Sequence, residues 1–294
     1  MPFAYGVSEF TTMPWSFEKD LEHYAAQGVQ AIELCEQKLD AHRYQEQLAA
    51  VADRGLSICG VQPLVRTFFA SRMQSDPVSV EDRAGRFRRS IERLARFAPG
   101  APFICNTGAH PRGDMAEAMD VVVRELRALA PIAAEHGVRI ALEPLNPTSV
   151  NVESAIWTVA QALDIIEATG RDEIGLCLDY WNIWQNSDVE VQIRRAGDRI
   201  FTVQASDWRT PRSFADRIAP GDGSIPLGRL LTATYEAGYR GACTVEIFSE
   251  GVSDSLYNDD LDALIRRSRA GLDQAWRSGL GPAPQSMPAP IAIT

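Results

Sequence analysis

Apolar residues along this chain fall into two alternating patterns. Eight short runs read as strands: 3–7 (FAYGV), 30–34 (QAIEL), 57–62 (SICGVQ), 102–107 (PFICNT), 139–144 (RIALEP), 174–179 (IGLCLD), 199–204 (RIFTVQ) and 241–248 (GACTVEIF). Residues 16–27, 44–54, 80–97, 114–136, 154–169, 189–196, 227–237 and 259–276 instead space their apolar positions at the helical period. Ser16 stands where a capping residue would open the first helix, and Gly28, Gly55, Gly137, Gly170 and Gly238 stand where helices stop before the next strand. Eight such units with no break in composition predict an α/β fold, one closed (β/α)8 or TIM barrel over residues 1–278, with an open doubly wound sheet as the alternative. The segment 279–294, with four prolines and two glycines, reads as an irregular tail, flexible or laid on a neighbouring subunit.

Side chains alternate between the two faces of a strand, so parity sorts each run. Glu143, Asp179, Gln204 and Glu246 close the fifth to eighth runs. Two positions earlier, on the same face, stand the small residues Ala141, Cys177, Thr202 and Thr244. The opposite parity is bulky and apolar: Ile140 and Leu142, Leu176 and Leu178, Phe201 and Val203, Val245 and Ile247. That division fits strands packed outward on helices and inward on a crowded axis, with the polar ends converging at the C-terminal mouth, where barrel enzymes carry their working residues. Three carboxylates and an amide oxygen make a hard donor set for one divalent cation. Mn²⁺ suits it first and Mg²⁺ or Co²⁺ next, with Zn²⁺ less suited because no His or Cys contributes.

Composition narrows the partners. A hydrophobic content of 45% supplies a substantial core, and a formal charge of −10 argues against nucleic acid as ligand. No run of 18 apolar residues is present to span a membrane, and the N-terminus MPFAYGVSEF lacks the features of a signal peptide, so a cytoplasmic location is expected. The five cysteines are odd in number and not closely paired, which reads as small buried hydrophobes in a reducing compartment.

With these residues in place the chain resembles a known family. The segments 142–146 (LEPLN), 178–182 (LDYWN), 203–209 (VQASDWR), 216–226 (DRIAPGDGSIP) and 238–249 (GYRGACTVEIFS) are similar to the sugar isomerase and epimerase group with xylose-isomerase-like barrels, as is the opening 11–34. The resemblance implies a metal-dependent enzyme, dimeric or tetrameric, acting on small polyhydroxy carbonyl compounds. It places the metal on Glu143, Asp179, Gln204 and Glu246, and gives Glu143 and Glu246 the proton transfers. Three positions depart from it. Gln204 replaces a common His, as in hydroxypyruvate-isomerase-like and dehydroshikimate-dehydratase-like branches; Asn182 replaces the His of Asp-x-x-His; and Ser149 replaces a Glu of ketose 3-epimerases.

A cation that polarises a carbonyl makes the adjacent C–H acidic enough for a carboxylate base. Return of the proton to the same carbon is epimerisation and to its neighbour isomerisation; loss of a β-hydroxyl is dehydration. An isomerase or epimerase of a free sugar or keto-sugar derivative is therefore the leading expectation. A lyase on a keto-polyol, dehydroshikimate-like or 3-keto-glycoside substrate is the alternative. Around the metal, Trp181, Trp15 and Asn182 are candidates to contact substrate, as are Arg209 and, at the mouth after strand four, His110. Arg217 either joins them or braces its loop. No strong phosphate cradle is visible, which favours an unphosphorylated substrate. A non-catalytic binding subunit is the reading from outside enzymology.

Overall fold

The computed structural model describes residues 1–210 and 216–279. Its eight strands are β1 (Ala4–Ser8), β2 (Ala31–Cys35), β3 (Ser57–Gln62), β4 (Pro102–Cys105), β5 (Arg139–Leu142), β6 (Ile174–Asp179), β7 (Ile200–Ala205) and β8 (Ala242–Val245). Each pairs in parallel with its neighbours in sequence, and β8 pairs back onto β1, which closes the barrel and excludes the open sheet. The helices among the described residues are α1 (Phe17–Ala26), α2 (Tyr44–Asp53), α3 (Val80–Leu94), α4 (Met115–Glu135), α5 (Val159–Thr169), a short α6 (Tyr180–Ile183), α7 (Val189–Ala196), α8 (Leu227–Glu236) and α9 (Leu261–Gly279). None is long and apolar enough to cross a membrane. Gly279, expected to open the tail, instead ends α9, and residues 280–294 lie outside the described residues.

Local chemistry sets most of these boundaries. Ser16 accepts a hydrogen bond from the Lys19 amide, and Gly28, Gly55, Gly137, Gly170 and Gly238 take up the left-handed conformation that stops a helix. The fifth helix starts at Val159 rather than at Ser154, because Thr158 and Gln161 form a reciprocal capping box there. Ser154 and Ala155 serve the loop instead, where the Ala155 amide donates to Thr107 Oγ1 at 2.7 Å.

The parity expected of the strands holds except at Phe201. Leu176 pairs with Ile200 but Cys177 pairs with Thr202, so Phe201 is the extra residue of a bulge. It packs with Ile104, Ala141 and Cys177 in a small cluster apart from the main core, on the face expected to carry only small groups. Gly175 makes room for it: a Cβ there would meet the Phe201 ring at 2.5 Å. The bulge absorbs one residue, which leaves Thr202 and Gln204 on the same face as before.

The C-terminal helix braces the segment after β7. A Cβ on Gly271, in the middle of α9, would lie 1.7 Å from the carbonyl oxygen of Pro220. Gly271→Ala is therefore expected to destabilise the protein by about 1–3 kcal/mol, as overpacking does. Gly85→Ala in α3, where the nearest atom to the new Cβ is a side-chain tip 3.8 Å away, is expected to stabilise it by about 0.5–1 kcal/mol. Urea unfolding of the two variants beside the parent checks both signs.

Candidate active site at the barrel mouth

Three of the strand-end residues meet. Carboxylate oxygens of Glu143, Asp179 and Glu246 lie within 4.8 Å of one another, and all three side chains are buried. The backbone fixes each: the Glu143 amide donates to Cys105 O at 2.9 Å and the Glu246 amide to Ala205 O at 3.1 Å. Thr11 staples β8 on both sides of Glu246, donating to Val245 O and accepting from the Ile247 amide. Asp179 caps α6 by accepting from the Trp181 amide.

Asn182 and Arg217 hold the carboxylates together. Asn182 Nδ2 donates to Glu143 Oε1 at 2.8 Å and to Asp179 Oδ2 at 2.7 Å. Arg217 Nη2 lies 2.8 Å from Asp179 Oδ2, and Nη1 2.9 Å from Glu246 Oε2. The guanidinium sits between the Trp181 and Phe248 rings, 4.8 Å from each centroid. Arg217 thus lies inside the site, and its position depends on its loop. Asp207 and Ile218 exchange backbone hydrogen bonds, and the Arg217 amide donates to Phe248 O. The Asp207 carboxylate then accepts from the amides of Gly221, Gly223 and Ile225, which folds the loop that α9 covers.

Gln204 is brought to the cluster with its nitrogen foremost. Its Nε2 donates to Glu33 at 2.9 Å and to Glu246 Oε1 at 3.0 Å, while its Oε1 accepts from Cys177 Sγ. To offer an oxygen to a cation, the carboxamide has to turn end for end. Glu33 on β2, Gln62 at the end of β3 and Asn106 after β4 complete the site and were not anticipated. Gln62 Nε2 reaches Glu33 and Glu246 at 3.3 Å, and Asn106 Nδ2 donates to Glu143 Oε2 at 2.9 Å. The signal for them was the rule already applied to β5–β8, a polar residue closing an apolar run.

Burial governs the protonation of this cluster. Loss of water, reinforced by the charge of Asp179, pushes Glu143 up to about 7. Burial raises Asp179 and takes Glu246 well above the usual carboxylate range, with Arg217 opposing both shifts. Glu33 is raised by burial against the hydrogen bonds from Ser8, Gln204 and Gln62.

Trp181 and Asn182 line a cavity with Glu143, Arg217 and Glu246. The other three candidates lie elsewhere. Arg209 is 56% exposed with its guanidinium 3.6 Å from Asp254. His110 turns its Nδ1 to the Asp114 amide and its Nε2 to Glu117, so it organises the start of α4. Trp15 stacks on His23, with Lys19 over its ring.

The donors present fit a divalent cation. Ligands of one ion lie no further apart than twice the bond length, roughly 4–5 Å, which the Glu143, Asp179 and Glu246 oxygens satisfy. Four carboxyl groups, counting Glu33, are buried together there, and Arg217 pairs with only two of them, Asp179 and Glu246.

Comparison with known proteins agrees with this architecture. The family described as xylose isomerase-like TIM barrel matches residues 21–273, and the chain belongs to it. An inosose isomerase of Halalkalibacterium halodurans is 36% identical over 131 residues, 43% of this chain and 45% of that protein. A 3-dehydroshikimate dehydratase of Pseudomonas aeruginosa is 29% identical over 248 residues, 80% of this chain and 34% of that protein. The chain thus spans less than half the length of either relative. The solved structure of an IOLI protein with a bound zinc atom shares the fold, with a TM-score of 0.77 at 22% identity over 95% of this chain and all of that one.

Truncating Arg217 leaves the carboxylates unbalanced. With metal removed by EDTA, Arg217→Met is expected to cost about 3–5 kcal/mol. At an unfolding entropy of about 2.1 cal/mol/K per residue, that lowers the melting temperature by about 5–8 °C. Excess Mn²⁺ should restore part of the loss, and an unchanged melting temperature in EDTA would show that the guanidinium does not balance the cluster.

Proposed function

We propose that the chain is a divalent-metal-dependent enzyme that moves a proton between carbons of a polyhydroxy carbonyl compound, as a sugar isomerase or epimerase. The observation that carries this reading is the meeting of Glu143, Asp179 and Glu246 within 4.8 Å on the wall of one cavity. Those three residues would hold the ion, with Gln204 a fourth donor once its carboxamide turns. A divalent cation bound there supplies Lewis acidity, which polarises a carbonyl oxygen and makes the neighbouring C–H acidic.

The protein's own groups account for the proton. Glu143 and Glu246 enter the cavity from the ends of β5 and β8, so two carboxyl groups are available to the same carbon skeleton. One takes the proton from the carbon beside the carbonyl, and the other, protonated, gives one back. Burial raises both carboxyls, which favours their taking up a proton. Asn182 and Asn106 donate to Glu143 throughout, which fixes the orientation of its two oxygens. Trp181 and Phe248 keep the Arg217 guanidinium in place and present apolar surface to the substrate.

A lyase reading also has support, because the dehydratase relative aligns over 80% of the chain against 43% for the isomerase. Both courses begin with the same proton removal. In deuterium oxide, with Mn²⁺ and a panel of keto-sugars and inososes, solvent deuterium at carbon without loss of water is the expected result; a new ultraviolet enone band would move the assignment to the lyase.

Glu246→Gln should lower exchange by about 100-fold or more, within the usual range for removing a general acid or base. It should also reduce the bound Mn²⁺ measured by elemental analysis. Retention of both metal and exchange would overturn the assignment.

A further inference from the structure

The cavity holds a second arginine that the proton chemistry does not use. Arg66, in the segment after β3, lines it together with the carboxylate cluster. Arg217 is engaged by Asp179 and Glu246, whereas among the described residues the Arg66 guanidinium has no ion pair and donates no hydrogen bond. Its guanidinium lies over the Phe10 ring, with Cζ 5.2 Å from the centroid. A ring over one face restrains the guanidinium and leaves its N–H edge open.

The backbone beneath Arg66 is tied down. Its amide donates to Gln74 Oε1 at 3.1 Å, and its carbonyl accepts from the Asn106 amide at 2.8 Å. The next residue, Thr67, bridges to Asn106 and accepts from the buried Arg83. Asn106 in turn holds Glu143, so the backbone of Arg66 and the carboxylate of the candidate base are tied to the same residue. Arg66 and Glu143 line the same cavity. Three further polar atoms of the lining are buried without hydrogen-bond partners among the described residues, Trp181 Nε1, Gln62 Oε1 and Arg217 Nε.

A neutral sugar gives an unpaired guanidinium nothing that a carboxamide could not supply. A carboxylate does, because its two oxygens match the planar fork in geometry and its charge is opposite. It would also be repelled by the acidic cluster unless a cation not already paired with those carboxylates stood in the same cavity, as Arg66 does. We infer that this site takes a polyhydroxy carbonyl compound bearing a carboxylate, and that Arg66 receives that carboxylate while the carbonyl end reaches Glu143 and Glu246. The inference rests on the enzyme reading above and deepens it. A phosphate ester fits less well, since among the described residues the lining has no lysine and Arg66 is its one guanidinium without an ion pair.

The test compares 3-dehydroshikimate with its methyl ester, which has the same ring ketone without the negative charge. Deuterium uptake at the carbon beside the ketone is measured with Mn²⁺-loaded full-length chain, as the parent, Arg66→Gln and Arg66→Lys. The parent should favour the acid over the ester in kcat/KM, and Arg66→Gln should shrink that ratio by about 10–100-fold, the range for hydrogen bonds to charged groups. The change should fall mainly in KM, with Arg66→Lys intermediate and Mn²⁺ content unaltered. A ratio equal in parent and Arg66→Gln overturns the inference while leaving the enzyme reading intact. Absence of exchange with every ketone overturns the enzyme reading instead; calorimetric binding of acid and ester then decides, with an acid preference lost in Arg66→Gln supporting the inference and equal affinities refuting it.

Discussion

The ion pairs of Arg217 with Asp179 and Glu246 are the constraint on which the barrel mouth is built. Buried carboxylates at such separations repel strongly, and a guanidinium is the group best able to hold two at once. Much of the surrounding structure keeps it there. Trp181 and Phe248 close on its faces, Asp207 gathers the amides of the following loop, and α9 gives up a side chain at Gly271 so that Pro220 can lie against it. Residues remote in sequence thus converge on the placement of one side chain, and the stability of the C-terminal third is coupled to the electrostatics of the site.

The barrel was legible because strand and helix periods differ and the sequence alternates between them throughout. The largest shift came where a cap overrode the apolar pattern, at Thr158; smaller ones left β8 ending at Val245, α3 at Leu94 and α9 at Gly279. The parity argument brought Glu143, Asp179 and Glu246 together correctly. It failed for Phe201, because a bulge is a property of two paired strands and no single run announces it. Glu33, Gln62 and Asn106 were within its reach, since they sit in the first four strand runs just as the others sit in the last four; the rule had been applied to half the barrel.

Proximity to a strand end proved a weaker guide than parity. Arg209 and His110 both follow strands at the mouth, yet each turns to a local partner, Asp254 and the start of α4 respectively. Loop side chains take their direction from the turn that carries them, which a sequence position alone does not specify. Arg217 shows the converse. It lies 13 positions beyond Gln204 in chain order, but the backbone exchange between Asp207 and Ile218 brings it back beside the cluster.

The kind of donor chosen for the carboxylates bears on what they can do. Apart from Arg217, the side-chain donors to Glu33, Glu143, Asp179 and Glu246 include four carboxamides: Gln62, Asn106, Asn182 and Gln204. A lysine in any of these places would satisfy the same oxygens but would also drive their pKa down and cancel the negative charge that attracts a cation. A carboxamide replaces the lost water without doing either. Asn182 follows the same logic, for it bridges Glu143 and Asp179 with a donor that cannot titrate. The cluster therefore keeps carboxyl groups that are oriented by hydrogen bonds yet still raised by burial, and so remain able to bind a cation or exchange a proton near neutral pH.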